Sequence, residues 1–171
     1  EGPFKKGKKA SYLFNYRYST LALIGSFLPD DSGVLKYQDV SYKINLPTKK
    51  SGTFSLWGIG AYDGIDTDAL DSDEWEAITD RDNSQTSLYM FATGVNHKAS
   101  INSNTFLKTA LSVTGNGMTH KEQRLDDDLQ PQPQSNANKN DYRVTLQSNM
   151  THYFGEKHTN RTGFYLNHLG Y

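Results

Sequence analysis

The chain has 171 residues, a formal net charge of −1, no cysteine and 12% aromatic residues. The lack of Cys excludes thiol catalysis and argues against a disulfide-stapled secreted domain, and the small net charge gives no global field that would attract nucleic acid. A mean hydropathy of −0.73 is low for a chain with a large core, so the remaining classes are partial disorder, which the aromatic content disfavours, a loop-rich all-β fold, and a transmembrane β-strand array.

The first predicted elements are a basic turn over residues 5–9 and a strand over 11–19. We expect the turn to be solvated, with phosphate binding as the alternative. The strand places four aromatic rings on one face, those of Tyr12, Phe14, Tyr16 and Tyr18. Such a face packs on a second sheet in a soluble protein and faces lipid in a membrane barrel. The residues leave both alternatives open, and a loop is predicted over 20–36.

The central prediction is an antiparallel hairpin over residues 36–62. Val40, Tyr42, Ile44 and Leu46 alternate with Asp39, Ser41, Lys43 and Asn45. Alternation with a period of two predicts a strand whose two faces meet different environments. Pro47 ends this strand, residues 48–52 form a polar turn, and a second strand over 53–62 is apolar on both faces. Gly58 and Gly60 in that strand predict a bulge or a close backbone approach.

An acidic segment over residues 63–85 follows the hairpin. Its weak calcium candidates are Asp66, Asp68, Asp71 and Asp73, because calcium prefers several oxygen ligands. The calcium-loop pattern fails here, since Leu70 and Asp71 follow where the pattern requires Asp or Asn and then Gly. We therefore expect a solvated acidic loop with a short helix around 75–78, and no metal.

The rest of the chain predicts four more strands, over 87–101, 105–113, 142–154 and 160–171. Tight turns are expected at 102–104 and 155–158, and the Pro-, Gln- and Asn-rich segment 114–140 is expected to be a mobile surface loop. The total is about seven strands in an up-and-down meander, with short turns at one end and long loops at the other. Outer-membrane barrels have this asymmetry, whereas soluble sandwiches lack it.

No catalytic motif is present. The five His residues do not pair at metalloprotease spacing, and no nucleophile elbow, phosphate-binding loop or dinucleotide fingerprint occurs. The carboxylates concentrate in predicted loops, where a glycosidase pair would be poorly positioned. We therefore expect neither enzymatic activity nor a cofactor, and no catalytic residue is assigned.

Four stretches outside the long loops resemble consecutive barrel hairpins of one family. They are GPFKKGKKASYLFNYRYSTL, YQDVSYKINLPTKKSGTFSLWGIG, ATGVNHKASINSNTFLKTALSVTG and HTNRTGFYLNHLGY. In this order they resemble TonB-dependent outer-membrane receptors, in particular those that carry a carboxypeptidase-regulatory-like N-terminal domain. The resemblance implies a 22-stranded barrel with an N-terminal plug, which imports siderophores, cobalamin or glycans with energy from TonB.

Under this resemblance residues 1–171 are a partial transmembrane β-barrel of the bacterial outer membrane. Neither a plug nor a TonB box is recognisable, and we expect the chain to be an excerpt of a longer polypeptide. The implied partners are outer-membrane lipid, the rest of the barrel and its plug, TonB through the missing N-terminal part, and a surface lipoprotein. No functional residue of the family can be carried over, because its ligand contacts lie on variable loops.

The barrel hypothesis predicts which side chains share a face. Tyr42 and Leu146 should face lipid, while Asp39 and Gln147 should face the lumen. The alternative is a soluble β-sheet module that binds a ligand such as a carbohydrate through surface Tyr and Trp. Tyr42 and Leu146 buried between two stacked sheets would favour that alternative.

Overall fold

The computed structural model describes residues 1–18 and 34–171, with side chains from residue 36 onward in the second range, and it is all-β. Its eight strands are β1 (Gly2–Pro3), β2 (Ser11–Tyr18), β3 (Val34–Pro47), β4 (Thr53–Thr67), β5 (Asp82–Asn102), β6 (Thr105–Leu125), β7 (Pro131–Tyr153) and β8 (Thr159–Gly170). The helical structure described in these ranges is one 3₁₀ turn, Ile78–Arg81. No helix of the described residues is long and apolar enough to cross a membrane.

The strands form one antiparallel sheet in sequence order, from β1 to β8. Each strand pairs with the next through a hairpin, and the register between β3 and β4 is uninterrupted from Val34 opposite Asp66 to Pro47 opposite Thr53. The outer strands are not paired with each other, so the sheet is open. The predicted antiparallel meander is therefore confirmed. The expected number of about seven strands is one too low, because the two-residue strand β1 pairs with β2.

The predicted loop over 114–140 is wrong. Strand β6 continues to Leu125, β7 begins at Pro131, and the connection between them is residues 126–130. The register joins the two extensions over their whole length, with one irregularity between Glu122 and Gln123. The sequence did not reveal these strands because both faces of the extension are polar, so no alternation of apolar and polar residues marks it.

The predicted acidic loop over 63–85 is also too long. Strand β4 runs to Thr67 and β5 begins at Asp82, which leaves residues 68–81 as the connection. The 3₁₀ turn lies slightly later than the helix expected around 75–78. Most of the predicted loop 20–36 lies outside the described residues, although its last part belongs to β3.

The sheet has two unlike ends. At the short-turn end, the connections are residues 4–10, 48–52, 103–104 and 154–158. At the other end, β3 to β7 all extend past the level at which β8 ends, opposite Tyr142, and we call this the extended end. The asymmetry predicted from loop lengths therefore exists, but at the extended end long paired strands account for much of it.

A hydrophobic core is missing from the described part of the chain. Ala110, at 8% exposure, is the one apolar side chain that is buried there. Large apolar side chains are exposed throughout the sheet, including Phe14, Leu111 and Leu166. A sheet normally buries one face against another layer, and the described residues supply no second layer.

Candidate functional site: an apolar face and a polar face

The register places apolar side chains in continuous rows across one face of the sheet. One row runs through Tyr12, Ile44, Leu56, Val95, Leu111, Leu146 and Leu166. We call this the apolar face. Its central part, the apolar band, consists of alternate residues in 12–18, 38–46, 54–62, 89–97, 109–117, 140–148 and 164–170. The apolar band contains no Asp, Glu, Lys or Arg.

Aromatic rings lie at both margins of the apolar band. Toward the extended end they are those of Tyr16, Tyr18, Tyr62, Tyr89 and Tyr142, and toward the short-turn end those of Phe54 and Phe164. The band spans nine residues of β3, from Gln38 to Leu46, which is about 27 Å along the strand at ~3.4 Å per residue. At the tilt of about 35–45° that is usual in outer-membrane barrels, this length corresponds to a height of about 19–22 Å, close to but below the ~25 Å apolar band of such barrels.

Aromatic rings on the apolar face lie over glycines of the neighbouring strand. Tyr42 is opposite Gly58, and a Cβ added at Gly58 would lie 2.5 Å from the Tyr42 ring. The same arrangement joins Phe91 with Gly115, Tyr89 with Gly117, and Tyr142 with Gly170. Because glycine leaves the backbone uncovered, the ring covers it and gains contact area.

The Tyr42 ring is also held by a hydrogen bond of its hydroxyl group. Its hydroxyl lies 2.8 Å from Thr93 Oγ1, across β4 on strand β5. Of the two alternatives predicted for Gly58 and Gly60, the bulge is wrong, because the β3–β4 register has no shift. At Gly58 the close neighbour is the Tyr42 side chain, so the approach found there is that of a side chain and not the predicted approach of another backbone.

The opposite face, which we call the polar face, carries the charged side chains of the same part of the sheet. They are Arg17, Asp39, Lys43, Asp63, Asp141 and Arg143. Its most buried charged group is Asp39, at 6% exposure. The Arg17 Nε donates to both Asp39 carboxylate oxygens, at 3.1 and 2.9 Å, and the Tyr37 hydroxyl donates to Oδ2 at 2.6 Å.

A groove lies beside this ion pair on the polar face. It has a volume of about 680 Å³ and is lined by the apolar Ile59, Ala61 and Met90 and by the Arg17–Asp39 pair. A second hollow of about 420 Å³ continues it toward Asp63 and Lys139. Its mixed apolar and charged lining is typical of a surface that contacts an amphipathic partner or ligand.

The predicted division of side chains between two faces is confirmed. Tyr42 and Leu146 lie on the apolar face, and Asp39 and Gln147 lie on the polar face. Burial between stacked sheets is not observed for Tyr42 or Leu146, since the described residues form one sheet. Lipid on one face and a lumen on the other stay predictions.

The structure does not gather the calcium candidates into one site. Asp66 belongs to β4 and forms an ion pair with Lys36, whereas Asp68, Asp71 and Asp73 lie in the connection 68–81. The Asp71 carbonyl accepts the Glu74 backbone N–H at 2.9 Å. Within residues 1–18 and 34–171, no three His, Asp or Glu side chains are arranged to hold a metal ion.

Ion pairs instead organise the extended end. Arg124 donates through Nε and Nη2 to the two Asp82 carboxylate oxygens at 2.7 and 2.8 Å, and this pairing lowers the pKa of Asp82. Arg81 pairs with Asp127 at 2.8 Å and lies 4.3 Å above the Trp75 ring. The connection 68–81 is thereby joined to the tip of the β6–β7 hairpin.

The tip itself is closed by Asp126. Its carboxylate accepts the backbone N–H groups of Asp128 and Gln130 and the side-chain amide of Gln132, at 3.0, 2.9 and 2.8 Å. These hydrogen bonds to the charged form lower the pKa of Asp126. The side chain of an Asp in a turn commonly accepts a hydrogen bond from the backbone two residues further along the chain. Asp126 therefore stabilises the tight turn at 126–130 through local contacts.

Sequence reasoning missed the groove and the aromatic–glycine pairs. The pairs had a signal in the sequence, since Tyr42 and Gly58 are equidistant from the turn 48–52. The groove had none, because it depends on side chains from β2 to β6.

Comparison with protein-family models, curated proteins and solved structures found no match for this chain.

Proposed function

We propose that this chain is a segment of the outer-membrane β-barrel of a TonB-dependent receptor. The observation that carries the proposal is the apolar band, which contains no charged residue across seven neighbouring strands, from β2 to β8. Outer-membrane strands present such a band to lipid, with aromatic girdles at both margins. The up-and-down meander and the short turns at one end support the same proposal.

The described residues supply no second layer, and this supports lipid as the cover of the apolar face. Monomeric soluble proteins rarely expose contiguous apolar patches larger than a few hundred Å², whereas this face stays apolar from Tyr12 to Leu166. Burial of apolar surface gains about 25 cal/mol per Å². A bilayer supplies that burial over the whole sheet without another protein layer.

The polar face would then line the inside of the barrel. A cation at the bilayer midplane on a lipid-facing position costs about 2–4 kcal/mol, so charges such as Arg17, Lys43 and Arg143 favour the lumen side for this face. The groove beside Arg17 and Asp39 would open into that lumen. There its apolar and charged lining would contact the plug or a passing ligand.

The receptor that contains this segment would import a large or scarce nutrient of one of three classes: a siderophore, cobalamin or a glycan. Its partners would be the rest of the barrel, the plug, TonB and a surface lipoprotein. The segment would contribute wall and lumen surface, and the energy for import would come from TonB through the plug. No catalytic step is part of this proposal.

Adjacent residues on opposite faces allow a direct test of the bilayer placement. The chain has no native Cys, so Leu146→Cys and Gln147→Cys each provide a single labelling site in it. In the protein reconstituted into vesicles, a fluorophore at Leu146→Cys should be quenched by nitroxides on lipid chains. The unlabelled thiol of Gln147→Cys should instead react with a charged, water-soluble maleimide, and a fluorophore attached there should not be quenched by the lipid nitroxides. Equal quenching at both positions would contradict the proposal.

The import function has its own test. Cells that lack the protein should lose uptake of one of the three nutrient classes when that nutrient is limiting. The same loss should appear when the protein is present and TonB is absent. Unchanged uptake of ferric siderophores, cobalamin and glycans would contradict the import function, even with the bilayer placement intact.

A soluble ligand-binding module is the alternative function. It predicts a monomer that stays in solution without detergent, although its apolar face is exposed. The barrel segment should aggregate without detergent or lipid. Sedimentation of the purified protein with and without detergent distinguishes the two.

A further inference from the structure

The charges of this chain are segregated between the two ends of the sheet, although they nearly cancel overall. The turns and strand ends at the short-turn end carry Lys5, Lys6, Lys8, Lys9, Lys49, Lys50, Lys98, Lys108, Lys157 and Arg161, against Glu1 and Glu156. The extended end carries most of the Asp and Glu residues. The small net charge is therefore the sum of a strongly basic short-turn end and an acidic extended end.

Three of the short turns combine lysine with an exposed phenylalanine. Phe4, at 55% exposure, precedes Lys5, and Phe154, at 68% exposure, comes shortly before Lys157. Phe54 follows the turn that contains Lys49 and Lys50, and its ring stacks on His97 at 4.3 Å. The turn 103–104 contains no lysine, although Phe106 follows it closely and is 43% exposed, so an exposed phenylalanine accompanies all four short turns whereas turn lysines occur in three.

The turn lysines have no carboxylate partners in the described part of the chain. All the ion pairs found there involve other residues, namely Arg17, Lys36, Arg81, His120, Arg124 and Lys139. The lysines at 5–9, 49–50 and 157 are exposed. Their charge is therefore available to an external anion, in contrast to the paired Arg81 and Arg124.

We propose that the short-turn end binds the anionic headgroups of phospholipids in the leaflet that it reaches. The inference rests on the proposed barrel placement, which puts the margin of the apolar band at the membrane interface. Aromatic rings favour that interface, and lysine stems extend along apolar surface while the ammonium reaches the headgroups. Each Lys near an anionic membrane surface strengthens the attraction to it about fivefold.

The location of the lysines favours a lipid over a soluble acidic partner. The lysine turns belong to β1–β2, β3–β4 and β7–β8, so they follow the sheet edge from one side to the other. Each is adjacent to a phenylalanine that is at least 37% exposed. A lipid supplies both a phosphate for the lysine and hydrocarbon for the ring, whereas an acidic peptide supplies only the charge.

Labels at the two margins of the apolar band test this lipid preference. A fluorophore is attached to Phe54→Cys at the short-turn end or to Tyr62→Cys at the other margin. The protein is reconstituted in vesicles that contain phosphatidylcholine and phosphatidylglycerol, and either lipid carries a nitroxide on its acyl chain. The Phe54→Cys label should be quenched by phosphatidylglycerol as if that lipid were enriched about fivefold, the equivalent of about 1 kcal/mol. The Tyr62→Cys label should detect no enrichment.

Charge-matched variants provide the control. Lys49→Gln with Lys50→Gln should abolish the enrichment at Phe54→Cys, and 1 M salt should weaken it because screening shortens the reach of exposed charges. Lys121→Gln with Lys139→Gln removes the same charge from the extended end and should leave the enrichment unchanged. Loss of the enrichment in both variants would overturn the proposal, since it would then depend on net charge alone.

The outcomes separate this inference from the proposed function. Equal quenching by both lipids at Phe54→Cys would overturn the headgroup proposal and leave the barrel placement intact. Absence of quenching by either lipid at both labels would overturn the barrel placement, and the inference with it. Phosphatidylglycerol enrichment at Tyr62→Cys as well would also overturn it, because the preference would not belong to the short-turn end.

Discussion

The apolar band and the extended end of the same sheet use different chemistry to hold the same strands together. In the band, the pairs across the apolar face are aliphatic rows and rings over glycines, such as Tyr42 over Gly58. At the extended end, the described contacts are ion pairs and capped turns, such as Arg124 with Asp82. Strands β4, β5, β6 and β7 pass from one region into the other without a break.

This difference indicates that side-chain chemistry follows the medium around each region rather than the strand. A cation facing hydrocarbon is costly, whereas a surface ion pair in water is tolerated and contributes little. Under the proposed barrel placement, the band lies within the bilayer and the extended end lies outside it in water. Substitutions in the two regions should therefore have unequal effects.

The largest effect should come from a charge in the middle of the apolar band. Leu146→Arg places a guanidinium where lipid is proposed, and we expect the free energy of unfolding from vesicles to fall by about 2–4 kcal/mol. Gln147→Arg, on the polar face, is the matched control and should change it by less than about 1 kcal/mol. Denaturant titration in vesicles measures both. Equal losses of unfolding free energy in Leu146→Arg and Gln147→Arg would contradict the proposal that the two faces meet different media.

An intermediate effect should come from filling the space under an aromatic ring. Gly58→Ala places a Cβ 2.5 Å from the Tyr42 ring, so the ring must move and its hydroxyl must leave Thr93. We expect a loss of about 1–3 kcal/mol, as for other overpacked sites.

Gly60→Ala, two residues further along β4, is the control. The nearest atom to its added Cβ would be Val40 Cγ1 at 3.7 Å, which is an ordinary contact. The same titration should detect little change, or a slight gain from the lower entropy of the unfolded chain. A larger loss at Gly60 than at Gly58 would contradict the account of the aromatic–glycine pairs.

The smallest effect should come from the ion pairs of the extended end. Arg124 lowers the pKa of Asp82 below its ordinary value of 3.8. A group whose pKa is lowered by folding contributes stability above its unfolded pKa, and this contribution is lost as the pH falls through the folded pKa. Amide protection in β5 and β6 near Asp82 should therefore decrease below about pH 4, and only there.

Hydrogen exchange in wild type and Asp82→Asn measures this pH dependence. The variant should have lower protection at neutral pH and should lose the acid-dependent step in the amides beside Asp82, whereas the turn at 126–130 keeps its own step because the pKa of Asp126 is lowered too. Asp127→Asn is the control, because Asp127 is 93% exposed in its pair with Arg81, and exposed pairs contribute little. An acid-dependent step that persists in Asp82→Asn would assign it to another carboxylate.

Sequence patterns predicted the strands whose two faces differ. In β3, Val40, Tyr42 and Ile44 alternate with Ser41 and Lys43, and period-two alternation is visible without any structure. The extensions of β6 and β7 lack this signal because polar residues occupy both faces. Their strand structure depends on pairing with each other and with β5, which a local pattern does not record.

Candidate sites divide in the same way. The acidic segment around Asp66 and Asp71 has a calcium-like composition, but coordination requires several oxygens to converge, and composition does not contain that geometry. The groove beside Asp39 is invisible in the sequence because residues distant in the chain form it.

The sequence by itself determined the all-β class, the antiparallel order and the face on which each residue of the central strands lies. These follow from alternation and turn chemistry, which are local. Only the tertiary structure decided how far the strands extend and which rings cover which glycines. Those features depend on the register between strands, which joins residues far apart in the chain.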